Sequence, residues 1–315
     1  MTWIKINGLK RRLVKGVARW IRGWPWAERR LVELCHLPWA RRYFKVGAIA
    51  YAYLSLEAPE LRLARLQGYQ LWVNLTEYQG IFLYFFGRDL EPFTSVIAAR
   101  LVQPGQTCID LGANIGSYTF LLARQVGQTG QVYAFEPQPN LYTILQRSVA
   151  ANGWSDRIQL ESLAVAAQSQ QRLRLYTSGD TCNSGITSMV RYGEFLKSDR
   201  FIDVETIALD DYCHQQSIQD IHLLKIDIEG AELLALQGAA NLFAQQRVQH
   251  LLIEQAAASP AQKLLLDWGY QGWFIDEATQ QLRSLDSLEP GHFGNYLFVP
   301  AQEQGAIAAQ FTVAA

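Results

Sequence analysis

Two short apolar runs, each ending in acids and glycines, constrain this chain most: Thr107-Cys-Ile-Asp-Leu-Gly-Ala-Asn-Ile-Gly116 and Leu223-Leu-Lys-Ile-Asp-Ile-Glu-Gly-Ala-Glu232. Such runs read as buried strands feeding tight turns, with helices behind them from Ser117 and Glu232. Gly112 and Gly116 let the backbone approach a ligand, and the helix start offers unpaired N–H groups. Asp110 puts a carboxylate beside that turn, which suits a cationic or hydroxyl-bearing ligand better than a pyrophosphate. Gln131-Val-Tyr-Ala-Phe-Glu136 reads as a second strand ending in an acid, the usual device for holding ribose hydroxyls. A nucleoside is expected across the ends of these two strands.

The pattern around these runs predicts an α/β fold with a doubly wound, mostly parallel sheet. Strand and helix alternate over 107–111, 117–125, 131–136, 139–151 and 158–163, then resume with a strand at 221–228, a helix at 232–245 and a strand at 248–254. A helix near 260–268 and an antiparallel hairpin, 271–275 with 295–299, end the sheet. Between the third and fourth strands, 172–176 and 201–207 read as an extra strand pair around a polar connection long enough to be a lid. Upstream, 61–66 and 69–75 form a hairpin and 92–102 a helix. The division expected is a basic, Trp-rich helical segment over 1–58, the main domain over 59–300, and a loose tail over 301–315.

A nicotinamide fingerprint needs G-x-G-x-x-G, whereas this turn reads Asp110-Leu-Gly-Ala-Asn-Ile-Gly116. It resembles the D-x-G-x-G-x-G turn of the Rossmann-like class I methyltransferases, with Asn114 at the middle glycine. With Ala134-Phe-Glu-Pro137, Thr206-Ile-Ala-Leu-Asp-Asp211 and Lys225-Ile-Asp-Ile-Glu-Gly-Ala-Glu232, the order and spacing resemble the FkbM family of S-adenosylmethionine-dependent methyltransferases over residues 77–299. The resemblance implies S-adenosylmethionine as cofactor, with Asp110, Gly112, Asn114 and Gly116 toward its methionine part and Glu136 toward its ribose. The segment 162–165, with Ala164 and Val165, would pack on the adenine. The resemblance also implies methyl transfer to a hydroxyl of a sugar, glycan, lipid-linked or secondary-metabolite acceptor. Asn183 and Gly185 match an Asn-x-Gly pattern of the family and are candidates for acceptor contact.

Asp227 and Glu229 fall at the end of the fourth strand and Glu254 at the end of the fifth. Three carboxylates around one crevice can act as a general base, hold hydroxyls or bind a divalent ion, though nothing in the pattern indicates a metal. Lys225, on the same strand face as Asp227, is its expected ion-pair partner. The plainer alternative is that Asp227 and Glu229 cap the helix beginning near Gly230. His292, in the glycine-rich turn before the last strand, is a further candidate base, while His250 reads as structural.

Residues 1–50 hold 12 Lys and Arg against two acids, whereas the rest of the chain holds 16 against 27. Ile6, Leu9, Leu13, Val17, Trp20 and Trp24 share one helical face flanked by Lys and Arg, a pattern that suits an anionic membrane surface through residues 1–24 or packing on the main domain. The acidic remainder speaks against nucleic acid as a partner. Four cysteines without a C-x-x-C pair fit a reducing compartment, and no apolar run is long enough to span a bilayer. The expectation is a cytoplasmic enzyme, peripheral on the inner face of the membrane if the basic helix binds there. Two rival readings are a nicotinamide-dependent oxidoreductase and a catalytically silent scaffold.

Overall fold

A computed structural model describes residues 16, 23–37, 53, 58–177, 187–188 and 201–314. The chain divides into two compact units, with the break after residue 90 instead of at the expected 58/59 boundary. The reason lies in Glu28, on the helix Pro25–His36, whose buried carboxylate accepts from Tyr53 (2.7 Å), Tyr84 (2.9 Å) and Arg62 Nε (2.7 Å). Those bonds commit the hairpin β1 (Leu61–Leu66) and β2 (Tyr69–Asn74), together with the helical turns up to Phe86, to the N-terminal unit. The amphipathic face from Ile6 to Trp20 lies outside the described residues, as do Asn183, Gly185 and most of the 177–200 connection. Among the described residues, no helix is long and apolar enough to cross a membrane.

The second unit, from Glu91 on, contains β3 (Thr107–Leu111), β4 (Gln131–Phe135), β5 (Ile158–Glu161), β6 (Ala164–Val165), β7 (Arg172–Thr177), β8 (Thr187–Ser188) and β9 (Phe201–Ile207). It continues with β10 (Leu223–Ile226), β11 (Leu251–Ala256), β12 (Tyr270–Asp276), β13 (Gln281–Ser284), β14 (Phe293–Pro300) and β15 (Val313–Ala314). The main sheet runs β15-β13-β12-β14-β11-β10-β3-β4-β5, parallel from β11 to β5 and antiparallel at the β11–β14, β14–β12 and β12–β13 pairings. Cys108, Ile109, Leu111, Leu223, Leu224 and Ile226 are buried, as expected of strands covered on both faces. Strands β4 and β5 step outward from β3 on one side and β10 and β11 on the other. The switch point therefore lies between β3 and β10, and ligands of such sheets bind outside the carboxyl ends there.

Three predicted features come out differently. The helix predicted over 232–245 is two helices, Glu232–Gln237 and Ala240–Ala244. A Cβ at Gly238 would sit 2.1 Å from the Ala166 carbonyl oxygen, so the backbone passes there at a distance only glycine permits. The Asp210 carboxylate accepts from the N–H groups of Asn241 and Leu242 and so caps the second helix. The predicted terminal hairpin pairs as β12 with β14, but β13 and β15 extend the sheet beyond it.

The third difference is the tail. Residues 304–310 form a helix and β15 pairs in parallel with β13. Ile307 and Phe311 bury against the unit, and the Arg100 guanidinium lies 5.9 Å from the Phe311 ring centroid. The short, alanine-rich sequence hides these two anchors, because they are spaced by one turn and have no third partner. Ile307→Ala should lower the unfolding free energy by about 2–4 kcal/mol, read as a shift of the urea midpoint. An unchanged midpoint would mean that the segment contributes no packing.

Candidate active site

The turn after β3 is closed by its own hydrogen bonds. The N–H groups of Gly112 and Ala113 both donate to the Phe135 carbonyl, that of Asn114 to Glu136 Oε2 at 2.9 Å, and that of Gly116 to the Ala113 carbonyl. The backbone donors of the turn ahead of the helix are therefore occupied at these four positions. Gly112 serves a close approach, but to protein: a Cβ there would sit 2.0 Å from the Asp227 carbonyl oxygen. Asn114 replaces the middle glycine in the left-handed region, φ 53°, which asparagine tolerates better than most residues. Its buried Oδ1 has no hydrogen-bond partner among the described residues. The turn thus offers acceptors and fits a ligand that brings a cationic or hydroxyl donor.

Two buried acids fix this turn. Asp110 accepts from the Thr119 hydroxyl at 2.6 Å, which ties β3 to the helix Ser117–Val126. Glu136 accepts from the backbone of Asn114 and of Gln138, which locks the end of β4 to the β3 turn. Burial pushes the Asp110 pKa up to about 6 and that of Glu136 up to about 7, against the hydrogen bonds that favour ionisation. Ala164 and Val165 are buried in β6, where they pair with β9 and pack in the protein core. Their side chains are used inside the protein, whereas Ser162 just before them is exposed.

Strand register gathers the second group. Asp110 pairs with Lys225, Lys225 with Leu252, and Glu254 with Asn295, which puts Asp110, Lys225, Glu254 and Asn295 on one face of the sheet. Lys225, 1% exposed, places its Nζ 3.2 Å from Asp227 Oδ2 and 3.2 Å from Asn295 Oδ1. Burial alone lowers its pKa, but the fields of Asp227, Glu91, Glu254 and Asp110 outweigh this and the net shift is upward. Asp227, Glu229 and Glu254 bring carboxylate oxygens within 4.8 Å of one another. Burial, reinforced by Asp227, pushes Glu229 up to about 7 and Glu254 up to about 9.

The capping alternative does not hold. The helix Glu232–Gln237 starts after Ala231 with no side-chain cap from Asp227 or Glu229. Glu232 Oε1 instead accepts the N–H groups of Ile228 and Gly230, folding the turn back on itself and holding Glu229 at φ 54°. A left-handed glutamate stores about 1 kcal/mol or more of strain, the kind of outlier found where a side chain is aimed at a ligand. His292 is not part of this cluster. Its ring lies edge-on to Phe274 with centroids 4.6 Å apart and, among the described residues, makes no hydrogen bond or ion pair. His250 turns its ring toward the His222 carbonyl, and burial lowers its pKa, in line with a structural part.

Sequence reading missed Glu91, Tyr118, Thr119, Glu232 and Asn295. Asn295 could have been found as the polar residue inside the apolar strand Gly294-Asn-Tyr-Leu-Phe-Val299. Glu91 carries only the signal of an acid before a helix-starting proline.

A family model described as Methyltransferase FkbM domain matches residues 110–292, more than half of the chain. Methyltransferase sdnD of Sordaria araneosa is 27% identical over 157 residues, covering 41% of this chain and 59% of that protein. The 2-O-methyltransferase NoeI of Sinorhizobium fredii is 26% identical over 163 residues, covering 48% of this chain and 64% of that protein. The chain thus spans less than two thirds of the length of either relative. An O-methyltransferase from Bacillus cereus, solved in complex with SAH, aligns at 11% identity and TM-score 0.38 over 67% of this chain and 81% of its own. A likeness at that level adds nothing to the topology described above.

Four of the raised acids make a stability prediction. An acid whose folded pKa exceeds its unfolded value binds its proton more tightly when folded. The contribution of Asp110, Glu136, Glu229 and Glu254 is fully present below about pH 4 and is lost as pH rises through their folded values. Glu254→Gln should therefore narrow the drop in melting temperature between about pH 5.5 and about pH 8.5, since the variant no longer has this proton to lose. A pH dependence identical to the wild type would show that Glu254 ionises as an ordinary surface acid.

Proposed function

The chain belongs to the FkbM methyltransferase family, and from that premise we propose that it uses S-adenosylmethionine to methylate a hydroxyl of a sugar, glycan, lipid-linked or secondary-metabolite acceptor. The observation that carries the cofactor choice is the acceptor character of the β3 turn. A pyrophosphate needs free backbone donors at such a turn, and those of Gly112, Ala113, Asn114 and Gly116 are already used. A ligand with ribose hydroxyls and an ammonium group needs acceptors, which the Glu136 carboxylate and Asn114 Oδ1 supply. This favours S-adenosylmethionine over NAD.

When bound, the cofactor supplies a methyl group on a positively charged sulfur, which is already a strong electrophile. What remains for the protein is to orient, to exclude water and to manage one proton. Glu136 and Asn114 would hold the cofactor on the β3–β4 side of the switch point. On the β10–β11 side, burial and the neighbouring Asp227 push the Glu254 pKa up, which favours a carboxyl that can hydrogen-bond an oxygen of a polyhydroxylated ligand. Asp227, held by Lys225 through Oδ2, is the candidate to accept the hydroxyl proton at Oδ1. The similarity to NoeI, a 2-O-methyltransferase, supports a hydroxyl acceptor.

Calorimetry with S-adenosylmethionine, its demethylated product and NAD separates the readings: the first two should bind and NAD should not. Binding of NAD alone would sink the methyltransferase reading. Asp227→Asn should leave cofactor affinity nearly intact and lower turnover by about a hundredfold, the contribution typical of a positioned base. If affinity collapses while turnover per bound cofactor stays the same, Asp227 is a structural residue.

A further inference from the structure

The Lys225 ammonium sits in a ring of side chains that closes on Glu91. Besides Asp227 and Asn295, the ammonium faces the Tyr118 ring, with Nζ 5.2 Å from the ring centroid. Asn295 Nδ2 donates to Glu91 Oε1 at 2.7 Å, and the Tyr118 hydroxyl donates to Glu91 Oε2 at 3.2 Å. One carboxylate therefore orients two of the groups that face the lysine. It also decides which way the asparagine amide points. A carboxylate accepts only, so it takes the NH₂ end and leaves Oδ1 for the ammonium; the flipped amide would put donor against donor at the lysine and acceptor against acceptor at Glu91.

Glu91 is itself held in place from across the unit. It precedes the helix Pro92–Leu101, whose first turn is captured by Glu277 from the residues following β12. That carboxylate accepts from the N–H groups of Phe93 (2.9 Å) and Thr94 (2.7 Å) and from the Thr94 hydroxyl (2.7 Å). Glu91 and Asn295 both fall outside the residues 110–292 that match the family.

We propose that Glu91 is a positioning residue for methyl transfer: it sets the Asn295 amide and the Tyr118 ring so that Lys225 is directed at Asp227. The role assigned to Asp227 rests on the proposed function. Glu91→Gln keeps the shape, but an amide has one acceptor oxygen for two donors, so the ring opens at one side. Turnover, followed as S-adenosylhomocysteine release with methyl glycosides of neutral sugars as the probe, should fall about tenfold to a hundredfold, the scale expected when a reacting group is misplaced. Cofactor affinity by calorimetry should stay within about twofold of the wild type, because the β3–β4 side is untouched. Asn295→Ala should behave alike, and the double variant should be no worse than the worse single one, since a ring is broken only once.

An acceptor-independent readout comes from protein labelled with ¹⁵N-lysine. The buried Lys225 ammonium should give a slowly exchanging signal in the wild type that is lost in Glu91→Gln and weakened in Tyr118→Phe. The second variant removes a single hydroxyl and serves if the first fails to fold. A retained Lys225 signal overturns the inference whatever the acceptor is, and a lost signal with unchanged turnover overturns it by making Glu91 merely structural. A wild-type protein that binds no S-adenosylmethionine would sink the proposed function instead, and the labelled-lysine result would still stand on its own.

Discussion

A lysine ammonium without solvent has to be matched by partners, because an unpaired buried charge costs several kcal/mol even after relaxation (on the order of 3–5 when one member of a buried pair is removed). Lys225 sits in the central strand β10, and its partners come from separate parts of the unit. Asp227 belongs to the turn after the same strand, Tyr118 to the helix behind β3, and Asn295 to the antiparallel strand β14. Each partner enters only if its own element is in register. The converse also holds: four carboxylates can crowd around the end of β10 because one cation sits beneath them. Removing the lysine would leave the acids with desolvation and mutual repulsion, offset only by hydrogen bonds such as those from Thr119 to Asp110 and from Asn295 and Tyr118 to Glu91.

The parts of this arrangement legible in the sequence share a physical reason. Strands such as Thr107–Leu111 and Phe201–Ile207 fall where they are predicted because their signal is local: apolar or alternating side chains bounded by turn residues. Asp110, Glu136, Asp227 and Glu254 were legible because parallel strands bring their carboxyl ends to one side, so an acid ending each strand has to lie at the crevice. What stayed hidden depends on partners distant in sequence. Gly112 reads as a ligand contact until the Asp227 carbonyl is seen beside it, and Gly238 reads as mid-helix until the Ala166 oxygen blocks any side chain there. Ile307 and Phe311 likewise acquire meaning only from the surface that they cover.

The first turn shows how one motif can serve opposite ligands. A glycine-rich turn at a helix start binds phosphate when its N–H groups stay free. Here two of them go to the Phe135 carbonyl and one to Glu136, so β4 takes up the donors that a pyrophosphate would need. Once they are taken, the polarity of the turn inverts. The acid that consumes the Asn114 N–H still has lone pairs, and the asparagine Oδ1 adds another acceptor. Placing asparagine where a glycine is usual is thus chemically productive: it tolerates the left-handed backbone and contributes an oxygen that glycine lacks.

The antiparallel end of the sheet follows the same logic by reversal. A parallel strand delivers its last residues to the crevice, so β10 and β11 contribute Asp227 and Glu254. A strand running the other way delivers its first residues. Asn295 near the start of β14 lies directly opposite Glu254 near the end of β11, and side chains opposite one another in an antiparallel pair share a face. The pair β12 and β14 therefore does more than finish the sheet. Its β14 edge brings an amide to the lysine, and Glu277, beyond β12, pins the helix that carries Glu91. Residues on either side of the stretch that matches the family thereby reach the lysine and the carboxylates at its centre.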